Sequence, residues 1–170
     1  MRAFSVYRLA GGHMSKITVR RATGIDVPDI LPLWKEMMAF HAALDPRFRP
    51  APGGDVHWSR AVETWMQEED NCVLVAEAEG RIVGYIVGMM RENPPVLLPA
   101  RYGFVSDICV APEWRQQGVG RRMFAALQEW FRQQGADHIE LRVAHNNPTS
   151  QAFWRAVGCQ DYMDHLWCEL

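Results

Sequence analysis

Arg115-Gln116-Gln117-Gly118-Val119-Gly120 is the stretch whose reading decides the fold. It lies between an apolar strand-like run, Phe104 to Val110, and an amphipathic helix-like run, Val119 to Gln134. A strand that turns into a helix through glycines leaves several backbone N–H groups without intrahelical partners. Those donors and the positive end of the helix dipole together make an anion site. Arg121 and Arg122 follow in the first turn, where cations oppose the dipole. They fit there if a polyanion such as a pyrophosphate lies on top.

Two other phosphate loops are excluded. A Walker loop needs G-x-x-x-x-G-K-[ST], and no such run exists. The dinucleotide fingerprint needs a third glycine where Met123 stands, and no acidic residue follows at the ribose-binding distance.

The 170 residues are 48% hydrophobic, enough for one core and one domain. A net charge of −2 gives no nucleic-acid footprint. No apolar run approaches the length of a membrane span, so no membrane partner is expected. Cys72, Cys109, Cys159 and Cys168 lack C-x-x-C spacing and read as reduced thiols of a cytoplasmic protein. The dispersed histidines give no metal-binding spacing, so no metal is expected. Residues 1–14 read as an N-terminal extension and 15–170 as the domain; Met14 is an alternative start.

Outward from the opening stretch, Lys16 to Ala22 alternates as a first strand. A helix capped by Asp26 carries Ile30, Leu33, Trp34, Met37, Met38 and Leu44 at helical spacing. Asp45 to Gly54, rich in proline and glycine, is a loop placed to act as a substrate lid. Its Arg47 and Arg49 hint at a carboxylate or phosphate on the substrate. A second helix runs from about Asp55 to Glu69. Cys72–Ala78 and Arg81–Met90 form a hairpin around the Glu79-Gly80 turn, and 93–100 is a proline-rich loop. Strand 103–110, helix 118–134, strand 138–143, helix 148–157 and strand 161–169 complete an α/β chain with a mixed sheet and helices on both faces.

A second motif is Asn147-Pro-Thr-Ser150-Gln-Ala-Phe153-Trp154-Arg-Ala-Val-Gly158-Cys159. Together with Arg-x-x-Gly-x-Gly after a strand ending at Val110, it resembles the two signatures of the GNAT N-acetyltransferase superfamily, in the right order. The resemblance covers about Val73 to Leu170. It implies a mostly antiparallel sheet of six to seven strands. It implies acetyl-CoA as co-substrate and a small-molecule or peptide amine as acceptor; homodimers are common in the family.

By the same resemblance the pyrophosphate would lie on Gln116, Gln117, Gly118, Val119 and Gly120, with Arg115 and Arg121. Pantetheine would pair with the backbone from Ile108 through Cys109 to Val110, so the strand near Ile139 must splay from its neighbour. Asn147 and Ser150 would bind near the pantetheine. Phe153 and Trp154 would line the thioester end.

Direct attack by an amine needs a base, an N–H facing the developing oxyanion, and a leaving thiolate. The backbone between Ile108 and Val110 is the expected oxyanion donor. Asp107, mid-strand between apolar residues, is the expected base and faces away from Ile108 and Val110. Glu36, His41, His57, Glu63 and His145 are alternatives. The family's usual acid is a tyrosine where this chain has Trp154, whose indole donates a hydrogen bond but no proton. Tyr102, Tyr162 and Cys109 are other candidate acids. The missing tyrosine also leaves open a non-catalytic acyl-CoA-binding sensor or partner module.

Overall fold

The computed structural model describes residues 16–98 and 101–169, so the N-terminal extension lies outside the described residues. The described elements are β1 (Thr18–Arg21), α1 (Val27–Leu44), α2 (Gly54–Trp65), β2 (Asn71–Ala78), β3 (Arg81–Glu92), β4 (Arg101–Val110), α3 (Val119–Gln133), β5 (Ile139–Leu141) and α4 (Pro148–Ala156). Short 3-10 turns fill Gly24–Asp26, Pro46–Phe48 and Pro112–Trp114.

The strands form one sheet in the order β1-β2-β3-β4-β5. The first four are mutually antiparallel and β5 joins β4 in parallel. Helices cover both faces at the centre, which is why β2 and the middle of β3 are buried almost throughout. Glu79 and Gly80 both take positive φ (53° and 72°) and make the tight hairpin turn.

Glycines set the distance of α3 from the sheet. A Cβ at Gly88 would lie 2.5 Å from Leu127, and one at Gly103 would lie 2.6 Å from the Phe131 ring. α1 and α2 take the opposite face. At the start of α1, buried Asp26 accepts from Arg20 at 2.8 and 2.9 Å and from the Thr23 N–H at 2.8 Å. The Arg20 guanidinium and these donors hold its carboxyl at about 2.

Two expectations are corrected. The sheet has five strands among the described residues, not six to seven. The predicted strand 161–169 is not formed. The chain leaves α4 through Gly158 at φ 99°, and Arg155 pairs with Asp161 at 2.9 Å. Farther on, the Arg47 guanidinium lies 4.6 Å from the centre of the Trp167 ring. The second helix also stops earlier than expected, at Trp65, in a run of turn hydrogen bonds from Met66 to Asn71.

Candidate active site

The β4–β5 ladder is short. It pairs Gly103, Phe104 and Val105 with Ile139, Glu140 and Leu141 and then ends. From Ser106 to Val110, β4 runs on without a neighbour on that side among the described residues. The two strands therefore fork, and the open edge is the slot that the splayed-strand reading requires. At the fork the β3–β4 register slips: Val87 faces Asp107 but Gly88 faces Val105, leaving Ser106 as the extra residue of a bulge.

The bulge changes the phase of alternation. Gly103 and Val105 face α3 before it, and Ile108 and Val110 do so after it. Asp107 and Cys109 consequently point at α1 and α2. Val110 Cγ2 would lie 3.8 Å from a Cβ at Gly120, and the Phe153 ring atoms 3.2 and 3.3 Å from it. The end of β4, the start of α3 and the α4 motif thus converge at one point. Any side chain at Gly120 would displace Phe153.

The loop before α3 has the expected backbone. Gln116 (φ 60°) and Gly118 (φ 81°) take left-handed conformations, and Gly118 precedes the first residue of α3 with no side-chain cap. The N–H groups of the first turn are left for a ligand or solvent.

Arg115 and Arg121 do not stand free over this loop. The Arg115 Nε donates to the Val110 carbonyl at 2.9 Å, and its Nη2 pairs with Glu36 at 2.6 Å. Arg121 donates to the Ala156 carbonyl at 3.1 Å. These contacts brace both guanidiniums without using all five of the N–H donors each carries.

In α4, Asn147 is buried and caps the helix, its Oδ1 accepting from the Ser150 N–H at 3.0 Å. Trp154 is 6% exposed, its ring edge-on to Phe124 and Phe153 at 5.1 and 5.0 Å. It packs as a core residue.

On the other face, Asp107 Oδ2 accepts from Trp58 Nε1–H at 3.2 Å, and Ser106 Oγ donates to Oδ1 at 3.4 Å. Burial raises the Asp107 carboxyl above its ordinary value; the Trp58 and Ser106 hydrogen bonds and nearby His41 oppose this. Burial lowers His41, against a smaller pull from Asp107. Trp58 stacks on Trp34 at 5.2 Å and meets Tyr85 at 5.7 Å. Its burial was legible from helical spacing; its hydrogen bond across 49 residues of sequence was not.

Among the alternative bases, half-buried His41 lies near Asp107. His57, Glu63 and His145 are exposed, and Glu36 is engaged by Arg115. Among the candidate acids, Tyr102 stacks on His138 near the far end of β4, and Tyr162 is exposed. Burial, with Glu36 nearby, pushes the Cys109 thiol up to about 11. It is a poor nucleophile, and proton donation from it to a thiolate of pKa about 8.5 is uphill. Among the described residues no group of three or more His, Cys, Asp or Glu is placed to hold a metal. No helix there is long and apolar enough to cross a membrane.

The site is a forked mixed sheet with a glycine-started helix at the fork. The chain belongs to the Acetyltransferase (GNAT) family, whose model matches residues 34–159. It is 29% identical over 103 residues to the L-2,4-diaminobutyric acid acetyltransferase of Nocardia farcinica, a match covering 61% of this chain and 51% of that protein. The chain thus spans about half the length of that relative. It is 24% identical over 140 residues to the aminoglycoside N(6')-acetyltransferase type 1 of Salmonella enteritidis, covering 78% of this chain and 92% of that one. The fold matches a mutant BH1408 protein from Bacillus halodurans with a TM-score of 0.80 at 25% identity, over 90% of this chain and 99% of that one. It also matches aminoglycoside N-acetyltransferase AAC(6')-Iy in complex with CoA, with a TM-score of 0.74 at 19% identity, over 96% and 99%.

Proposed function

We propose that this protein transfers the acetyl group of acetyl-CoA to a primary amine by direct attack in a ternary complex. The observation that carries the reading is the fork: beyond Val105 β4 has no partner on its β5 side among the described residues, just where Gly120, Val110 and Phe153 converge. A chain of amides entering the fork pairs with the free edge of β4 as an added strand. Its diphosphate then lies on the N–H groups of the 116–120 loop, and Phe153 borders its path. A carbonyl oxygen has two lone pairs, so Val110 can accept from Arg115 and from the coenzyme together. The CoA in the AAC(6')-Iy structure supports the choice of coenzyme.

The chemistry lies where the two faces of β4 meet. An alkylammonium of pKa about 10.4 is neutral in roughly one molecule in two thousand at pH 7. Asp107 is the base in this reading: raised by burial, its carboxylate is a better proton acceptor than an exposed aspartate's. Trp58 fixes its rotamer. A backbone N–H between Ile108 and Val110 meets the developing oxyanion. The thiolate leaves without a tyrosine acid, since a thiol of pKa about 8.5 is a tolerable leaving group.

The Asp107 face carries Trp58 and His41, and the Phe40 and Phe48 rings flank His41 at 5.9 and 5.8 Å. Its carboxylates Glu36, Asp45 and Asp55 pair with Arg115, Arg47 and Lys35. That pairing favours an acceptor with one reacting amine on an apolar body over a polycation.

Release of free CoA from acetyl-CoA, measured with aryl- and alkyl-amines, diamino acids and aminoglycosides, tests this. Turnover is expected with the apolar primary amines first. Tight coenzyme binding with no turnover on any amine would contradict the enzymatic reading.

A further inference from the structure

The sheet face that carries Asp107 continues past the base. On β3, Tyr85 meets Trp58 of α2, and alternation sets Val87, Met89 and Arg91 on the same face. Val87 pairs with Asp107, and Met89 pairs with Phe104. The two β3 partners are two residues apart, so Phe104 stands about 7 Å along the sheet from Asp107. On the other side of Phe104, β5 sets Glu140 opposite it, and Arg142 follows two residues on. The Phe104 ring therefore stands between two arginines. The Arg91 guanidinium lies 5.8 Å from the ring centre and the Arg142 guanidinium 5.9 Å. Both arginines are exposed, and Phe104 is half-buried.

These two cations are left over when the charges around the site are matched. Glu36, Asp45 and Asp55 have partners, and Glu140 is directed at His138 Nε2 at 3.0 Å. Arg91 donates to the Met89 sulfur at 3.4 Å, a weak acceptor. Neither Arg91 nor Arg142 has an acidic partner among the described residues. Arg47, whose place in the sequence suggested contact with an anionic substrate, is taken by Asp45.

We infer that Arg91 and Arg142 clamp a carboxylate at the far end of the acceptor, whose apolar body lies along Phe104 and whose amine meets Asp107. A guanidinium presents a planar fork of N–H donors that matches a carboxylate, and the Phe104 ring holds both forks at the open surface. Distance sets the substrate class. A span of about 7 Å is that of five or six bonds between the amine nitrogen and the carboxyl carbon. The class is an ω-amino carboxylic acid of the length of 5-aminopentanoate or 6-aminohexanoate. The clamp rests on the acyl-transfer reading and adds to it the far end of the acceptor.

Release of CoA from acetyl-CoA with 6-aminohexanoate and with its neutral counterpart 6-aminohexanamide tests the clamp. The wild type is expected to favour the carboxylate about tenfold in kcat/KM, through KM. The preference should shrink as salt rises. In Arg91→Gln/Arg142→Gln the ratio is expected to fall to about one, and in Arg91→Lys/Arg142→Lys part of it should survive. Equal kcat/KM for the two amines in the wild type overturns the clamp and leaves acyl transfer standing. So does a preference that persists in the glutamine variant, or no turnover on either amine while others react. No turnover on any amine overturns the acyl-transfer reading and the clamp with it. If the glutamine variant fails to fold, inhibition of the wild type decides. Hexanoate is expected to compete with 6-aminohexanamide and hexanamide is not; equal inhibition by the two overturns the clamp.

Discussion

At the scale of single residues, Asp107 concentrates most of the chemistry. Its carboxyl is desolvated, so the folded protein holds its proton more tightly than the unfolded chain does. Folded stability therefore falls as pH rises through the ordinary aspartate range and levels off above the raised value. Asp107→Asn removes that penalty while keeping the shape. The variant is expected to lose turnover by 10²-fold or so, to flatten the acid limb of the pH–rate profile, and to melt no lower than wild type at pH 7. Unchanged pH dependence would remove Asp107 from the role of base. Trp58 supplies a second handle, since its indole hydrogen bond lowers the carboxyl. Trp58→Phe is expected to move the acid limb of kcat/KM to higher pH. An unmoved limb would mean that the hydrogen bond does not reach the reacting state. Asp107 was legible in the sequence as a charge inside an apolar strand. The bulge at Ser106, which aims it at α2, was not, because a bulge is a relation between two strands.

At the scale of elements, the glycines of the 116–120 loop work differently from one another. Gly118 has open space around its missing Cβ but a φ of 81°, so Gly118→Ala costs backbone strain of about 1 kcal/mol. Gly120 has ordinary backbone but meets Phe153, so Gly120→Val is expected to displace that ring and weaken coenzyme binding with a smaller change in melting temperature. Calorimetry with CoA beside a thermal melt separates the two effects. Element starts were read well where a local cap marks them. Asn147 before α4 and Gly118 before α3 announce a helix in a few residues of sequence, whereas Asp26 stands at the start of α1 without a side-chain cap bond to it, its carboxyl going to Arg20 and Thr23. Through these contacts Asp26 makes its own prediction. Its carboxyl sits at about 2 when folded, so its contribution is present above the ordinary aspartate range and disappears as pH falls through 2. Asp26→Asn is expected to lower the melting temperature at pH 7 by about 3–6 °C, for a loss of about 1–2 kcal/mol. The difference from wild type should shrink at acid pH; a gap that persists there would assign the loss to packing.

At the scale of the whole molecule, alternation and helical spacing gave the order of elements from β1 to α4, since each is a local property of its own residues. The strand count was not local. Residues 159–169 have the composition of a strand, yet a strand exists only where it pairs with an edge, and among the described residues this segment pairs with none. The contacts of Arg115 were hidden for the same reason. Its place in the motif suggested phosphate, while folding sets Glu36 and the Val110 carbonyl within its reach. What did emerge from sequence was the pairing of two short motifs about thirty residues apart, and the fold brings them to one place through Gly120 and Phe153. That convergence is the basis for reading the fork as a coenzyme slot. Isothermal calorimetry of acetyl-CoA against the wild type and Gly118→Glu tests it most directly. The account predicts one acetyl-CoA per chain for the wild type and none for the variant. Equal binding by both, or no binding by the wild type, would contradict it.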